Sequence, residues 1–203
     1  MSELVGIYGG SFSPPHRGHI SAVIGFSEVL KPDKLMIIPT YEPPHKVLAD
    51  GVSALDRLAM CRLAFADIPR VEVSDMEIVR EGKSYTSDTL RELTAPHRKL
   101  AFLIGTDMML TLDAWHEQEV IFSLADLYCV RRESDAAMTL AIAKKNAIYN
   151  EKFGKTVRIL DTPIQEVSST EIRASLSRGE KPEYLTPSVL AYLRERGLYG
   201  YGR

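Results

Sequence analysis

Cysteine is almost missing from this sequence. Cys61 and Cys129 are the only two in 203 residues, each alone among apolar neighbours. Neither a disulfide framework nor a cysteine-based zinc site is therefore available, and the compartment to expect is the cytoplasm. A charge excess is missing as well. The 25 Lys and Arg stand against 27 Asp and Glu, a net charge of −2, so nothing in the balance draws a nucleic acid or an anionic bilayer to the surface. No apolar run approaches the roughly 20 residues of a membrane span. Met1-Ser2-Glu3 opens acidic, unlike the cationic start of a secretion signal. Repeats, linkers and low-complexity tracts are also lacking, and tryptophan occurs once, at Trp115.

A 45% hydrophobic content is present, enough for one domain over 1–203 with a full core. Apolar runs between turn residues predict six strands, at Leu4–Tyr8, Lys34–Pro39, Val71–Val73, Leu100–Ile104, Asp126–Val130 and Val157–Leu160. Helical spacing fills the intervals: Ile20, Val23, Ile24 and Leu30 after the first strand, then Leu55, Leu58, Ala59 and Arg62 after a Ser53/Asp56 capping pair. Ser134–Phe153 reads as one long surface helix with a frayed middle. Ser169-Thr170 precedes a helix to Arg178, and Pro187 begins a last one that stops at Gly197. Alternation of this kind predicts an α/β fold, a doubly wound, mostly parallel sheet with helices on both faces and a helical C-terminal part from about 165.

Ligands of such sheets collect beyond the carboxyl ends of the strands. After the first strand comes Gly9-Gly10-Ser11-Phe12-Ser13-Pro14-Pro15-His16-Arg17-Gly18-His19, and then a helix. Two glycines admit a ligand to the backbone, and a helix start offers unpaired N–H groups and a positive dipole end to a phosphate. His16 and His19 are spaced to share one face. The stretch is neither a Walker A loop nor a Gly-x-Gly-x-x-Gly fingerprint. Two histidines alone also fit a solvated pair or half a metal site, although zinc would need further ligands.

The same stretch resembles the HxGH signature of the nucleotidyltransferase superfamily. Four more blocks follow in order: Pro39 to Lys46, Ser84-Tyr85-Thr86-Ser87-Asp88-Thr89-Leu90, Gly105-Thr106-Asp107 and Ser168-Ser169-Thr170-Glu171-Ile172-Arg173. Together they resemble the bacterial nicotinate-nucleotide adenylyltransferases over nearly the whole chain. Ser13 departs from the pattern, which usually has Asn or Asp there; serine makes a similar local turn. The resemblance implies a Rossmann-like nucleotidyltransferase fold and transfer of an adenylyl group from ATP to nicotinate mononucleotide. It implies that Gly9, Gly10, Ser11, Phe12, His16, His19, Gly105, Asp107, Ser169, Thr170 and Arg173 hold ATP. Lys46, Ser84, Tyr85, Thr86 and Trp115 would hold the acceptor, with His19, His16, Lys46 and Arg173 supplying the catalytic charge. Mg²⁺ would arrive on ATP rather than in a protein metal site. Neither a nucleic acid nor a membrane is an expected partner, and a homo-oligomer is left open.

Taken singly, several of these residues have plainer readings. Lys46 could be an ordinary solvated lysine, Ser169 and Thr170 helix caps, and Asp107 a cap of the helix after the fourth strand. A lone tryptophan is more often core than a ligand platform; the resemblance implies the platform, stacking on a pyridine ring with Tyr85 on its other side. Pantetheine-phosphate adenylyltransferases and cytidylyltransferases share the HxGH element, but the Ser84 block and Trp115 argue against them. A nucleotide-sensing module without turnover is the reading from another class.

Overall fold

The computed structural model describes residues 2–44, 48, 51–131, 135–160 and 167–202. In chain order they form β1 (Glu3–Gly10), α1 (Arg17–Leu30), β2 (Lys34–Pro39), α2 (Ala54–Phe65), β3 (Val71–Val73), α3 (Met76–Arg80), α4 (Thr86–Leu93), β4 (Arg98–Gly105), α5 (Thr106–Thr111), α6 (Gln118–Leu124), β5 (Ala125–Val130), α7 (Ala136–Phe153), β6 (Arg158–Leu160), α8 (Ser169–Ser177) and α9 (Pro187–Arg196). Every strand pairing is parallel, in the order β3-β2-β1-β4-β5-β6. The six strands lie where the apolar runs put them. None of the described helices is long and apolar enough to cross a membrane.

Parallel strands covered on both faces read as continuous apolar runs rather than alternating ones, and these do. Leu35, Ile37, Ala101, Leu103, Tyr128 and Val130 face one cluster, which Phe26, Phe65, Leu176, Val189 and Leu193 complete from α1, α2, α8 and α9. Their neighbours Met36, Ile38, Phe102, Ile104, Leu127 and Cys129 face the other, closed by Leu90, Met109, Phe122 and Tyr149. Gly6 lets α1 lie close to the sheet, since a Cβ there would come within 2.9 Å of the Phe26 ring.

Three local expectations need correction. The buried face of α2 carries Arg57, Leu58, Met60, Cys61, Ala64 and Phe65, while Leu55 is exposed. The helical set Leu55, Leu58, Ala59 and Arg62 is thus rotated from the buried one, because Arg57 takes a buried position from which it reaches the Ser11 and Tyr41 carbonyls. The long helix α7 runs unbroken from Ala136, capped by Asp135, whose carboxylate accepts from the Met138 N–H. Its lysines and asparagine do not fray it, because Lys145 pairs with Asp113 and Asn146 bonds both the N–H and the carbonyl of Val157. Finally, α8 is capped by Ser168, not by Ser169 and Thr170. The Ser168 hydroxyl accepts from the Glu171 N–H and the Glu171 carboxylate accepts from the Ser168 N–H, a reciprocal box that leaves Ser169 and Thr170 as the first helical residues.

Candidate active site

The chain leaves β1 toward β2 and β3 on one side and returns to β4, β5 and β6 on the other. The carboxyl ends of β1 and β4 therefore open at the point where the winding reverses, the usual ligand crevice of such sheets. A cleft of about 350 Å³ lies there. Gly9, Gly10, Ser11, Phe12, His16 and His19 line it from the β1–α1 loop, Gly105 and Asp107 from the end of β4, and Ser169, Thr170 and Arg173 from α8. Ser84, Tyr85, Thr86 and Trp115 line the other end. All the sequence-predicted site residues among the described ones thus converge, although they come from five separate segments. Lys46 lies outside the described residues.

His16 occupies the cap position of α1 and His19 its third helical position, so their rings come within 3.7 Å of each other. Both are buried. The His16 backbone N–H donates to His19 Nδ1 at 3.1 Å; a ring nitrogen that accepts carries no proton, which leaves Nε2 as the N–H donor of the neutral imidazole. Phe12 contacts the His19 ring edge-on at 5.0 Å and is itself wedged against Tyr8 and Phe65. Its φ of 45° is a conformation that costs a non-glycine residue about 1–3 kcal/mol and persists only where the surroundings enforce it. Gly18 has to lack a side chain, because a Cβ would stand 2.9 Å from Val167 and 3.0 Å from the His16 ring.

The helix start itself offers fewer donors than its sequence suggests. The Arg17 N–H donates to the Tyr184 carbonyl and the His19 N–H to the His16 carbonyl. Donors at this end of the cleft therefore come from the imidazoles, the glycine backbone and α8, whose opening N–H groups have no intrahelical acceptor. The loop is held from behind through its carbonyls. Arg57 donates to Ser11 O at 2.8 Å, Arg173 to Ser13 O at 2.8 Å and Ser169 Oγ to Pro14 O at 3.1 Å. Ser13, the departure from the family pattern, keeps a side-chain bond with the Tyr199 hydroxyl at 2.8 Å. Arg173 also donates to Thr170 Oγ1 at 3.1 Å, so its guanidinium edge already spans the loop and α8.

At the other end, Ser84 is buried and its Oγ accepts from the Tyr41 N–H at 2.9 Å. Tyr85 and Thr86 start α4, and the Tyr85 ring lies 4.2 Å from that of His116. Beneath them Glu77 accepts from Thr89 Oγ1 at 2.6 Å; burial pushes its carboxyl pKa up. Trp115 is half-buried, one side against the core and the other on the cleft, as a ligand platform requires. Two ion pairs fix its loop. Asp113 pairs with Lys145 at 2.7 Å, and Glu117 takes two bonds from Arg91 at 2.7 and 2.8 Å, which hold its carboxyl down to about 2. Asp107 is exposed at the mouth. Gly105 takes the cap position of α5, so Asp107 is not the cap.

Sequence reasoning missed Arg57, Glu77, Thr40 and His116. Only Thr40 stood within a quoted block, Pro39 to Lys46; nothing in the others' neighbourhoods distinguishes them from surface residues.

Residues 7–175 match the cytidylyltransferase-like family. Among curated proteins, a probable nicotinate-nucleotide adenylyltransferase of Citrifermentans bemidjiense is 38% identical, covering 96% of this chain and 97% of its own. Another of Oceanobacillus iheyensis is 36% identical, covering 98% of both. Among solved structures, the Plasmodium falciparum nicotinic acid mononucleotide adenylyltransferase complexed with NaAD superposes with a TM-score of 0.75 at 20% identity, covering 98% of both chains. That likeness supports the fold.

Proposed function

We infer the work of this cleft from one premise: the chain belongs to the cytidylyltransferase-like family and, within it, to the nicotinate-nucleotide adenylyltransferases. It transfers the adenylyl group of ATP to nicotinate mononucleotide, releasing pyrophosphate and forming deamido-NAD, a step of NAD biosynthesis. The single observation that carries this reading to the residues is the convergence of five separated sequence blocks on one crevice at the β1/β4 ends.

In the reaction a phosphate oxygen of the acceptor attacks the α-phosphorus in line, the bond to the bridging oxygen breaks, and pyrophosphate leaves with the electron pair. No enzyme nucleophile is needed. Two polyanions must be held together while charge builds on the α-phosphate, so fixed donors and positive charge do most of the work. His19 Nε2–H donates to an α-phosphate oxygen, with His16 stacked beside it. The N–H groups of Ser169 and Thr170 and the outer edge of Arg173 take the β- and γ-phosphates. Gly9, Gly10, Ser11 and Phe12 bring backbone against the nucleotide, with Gly105 beside the adenosine and Asp107 accepting from a ribose hydroxyl. Lys46 neutralises phosphate on either substrate.

Trp115 stacks on the pyridine ring and Tyr85 closes over it. Ser84 and the N–H groups near Thr86, at the positive end of α4, receive the nicotinate carboxylate. Mg²⁺ would come with the substrate phosphates, keeping much of its water, and would supply neutralisation of phosphate charge when bound. Asp107 is an oxygen donor of the kind it accepts, and among the described residues no three ligating side chains form a cage. One domain over the whole chain is supported by a core that joins Tyr8 of β1 to Leu193 and Tyr201. A cytoplasmic location is part of this proposal, since both substrates are charged nucleotides that do not cross a bilayer unaided.

Incubation with ATP and nicotinate mononucleotide tests the reading. A dinucleotide and pyrophosphate should appear in equal amounts, and with either substrate alone neither should form. Hydrolysis of ATP without a dinucleotide would overturn it.

A further inference from the structure

Among the described residues, Arg57 has the largest fully buried side chain, at 1% exposure. It sits in the first turn of α2, outside every motif that marks the site. Its Nη1 donates to the Ser11 carbonyl at 2.8 Å and lies 3.4 Å from Thr40 Oγ1; its Nη2 donates to the Tyr41 carbonyl at 3.0 Å. Ser11 belongs to the phosphate loop after β1. Tyr41 belongs to the loop after β2, and there the chain of bonds continues, because the Tyr41 N–H donates to Ser84 Oγ at 2.9 Å and the Ser84 N–H to the Glu42 carbonyl at 2.9 Å. A bridge between Glu42 and Lys83 closes this strip. One guanidinium therefore joins the phosphate end of the cleft to the turn that begins α4 at its acceptor end.

We propose that Arg57 is a positioning residue for adenylyl transfer, setting the separation and alignment of the ATP loop and the acceptor turn through Tyr41 and Ser84. The proposal rests on the adenylyl-transfer reading. Its physical basis is that in-line attack requires the reacting oxygen and phosphorus to stand about 3–3.5 Å apart, so misalignment of the two halves costs rate even when each half still binds its own ligand. A planar fork can hold two carbonyls in fixed relative positions. A lysine ammonium at the same place has no such geometry and can follow only one.

A dinucleotide that spans the cleft reads the alignment directly, whereas ATP and nicotinate mononucleotide each read one end. The test measures the affinities of all three separately, by calorimetry, for the wild type, Arg57→Lys, Arg57→Gln and Ser84→Ala, with kcat and KM alongside. The glutamine variant avoids a mismatched buried charge. Ser84→Ala cuts the same chain of bonds at its far end with the least change of volume, so it remains informative if both Arg57 variants fail to fold.

For Arg57→Lys, affinity for deamido-NAD should fall about tenfold or more and kcat by a similar factor, while ATP and nicotinate mononucleotide each stay within about threefold. Ser84→Ala also removes a contact of the acceptor itself, so nicotinate mononucleotide should weaken, the dinucleotide should weaken by a clearly larger factor, and ATP should stay within about threefold. The proposal is overturned if the dinucleotide loses no more affinity than the weaker of the two substrates, or if Ser84→Ala weakens nicotinate mononucleotide as much as the dinucleotide. A wild type that neither binds nor forms deamido-NAD would instead overturn the function itself.

Discussion

On the phosphate side of the cleft, the carbonyls of Ser11, Ser13 and Pro14 are each fixed by a side chain from α2 or α8. On the acceptor side, the loop carrying Trp115 is fixed by Arg91–Glu117 and Asp113–Lys145, whose side chains are about a quarter to almost half exposed. The first arrangement ties the loop through its carbonyls, with partners that sit behind it. The second is screened by solvent and salt, and each pair contributes little on its own. A polyanion with fixed geometry suits the first side. A flat ring that has to be admitted and covered suits the second. Substitutions on the phosphate side should therefore act on rate and ATP binding, and those on the acceptor side mostly on acceptor binding.

His19→Ala should have the largest effect: a loss of about 100-fold or more in kcat with stability changed by no more than about 1 kcal/mol, measured by steady-state kinetics and thermal unfolding. Near-normal turnover in a folded variant would remove His19 from the mechanism. Arg173→Lys comes next. Lysine cannot hold Ser13 O and Thr170 Oγ1 together while presenting an edge to phosphate, so ATP affinity should fall about tenfold; unchanged affinity would contradict its placement. Gly18→Ala pushes a methyl toward Val167 and the His16 ring, and should cost about 1–3 kcal/mol of stability together with a loss of kcat.

On the acceptor side, the only tryptophan should report its own occupancy. Nicotinate mononucleotide should shift or quench Trp115 emission, and ATP alone should not. The smallest effect belongs to Glu117→Gln. The folded pKa of Glu117, about 2, lies below the ordinary 4.5, so the stability it contributes is present above about 4.5 and is lost as the pH falls toward 2. The melting-temperature difference between wild type and variant should be small at pH 7 and vanish in that window; a difference that grew in acid would contradict the pairing.

The sequence made the strands legible because buried parallel strands print apolar runs between turns, and β1, β2 and β3 end within two residues of where those runs place them. Glycine and histidine blocks after strands mark the phosphate side for the same reason. Arg57 was not legible, since an arginine in a helix reads as surface until the carbonyls it serves have been brought together by folding. The cap of α8 was misplaced by one residue because Ser168, Ser169 and Thr170 are all competent caps, and only the reciprocal bonds with Glu171 distinguish them. Lys46 falls outside the described residues, and its role stays a proposal.

The measurement that bears most directly on the account is kcat/KM with nicotinate mononucleotide against nicotinamide mononucleotide, followed by pyrophosphate release at saturating ATP. A carboxylate at the positive end of α4 can take several N–H donors at once, whereas a carboxamide must turn its NH₂ toward one of them and leaves groups unpaired at roughly 1 to 3 kcal/mol each. The nicotinate form should be preferred by about 100-fold or more. Comparable values for the two mononucleotides would contradict a carboxylate site at Ser84–Thr86 and make the acceptor end indifferent to charge.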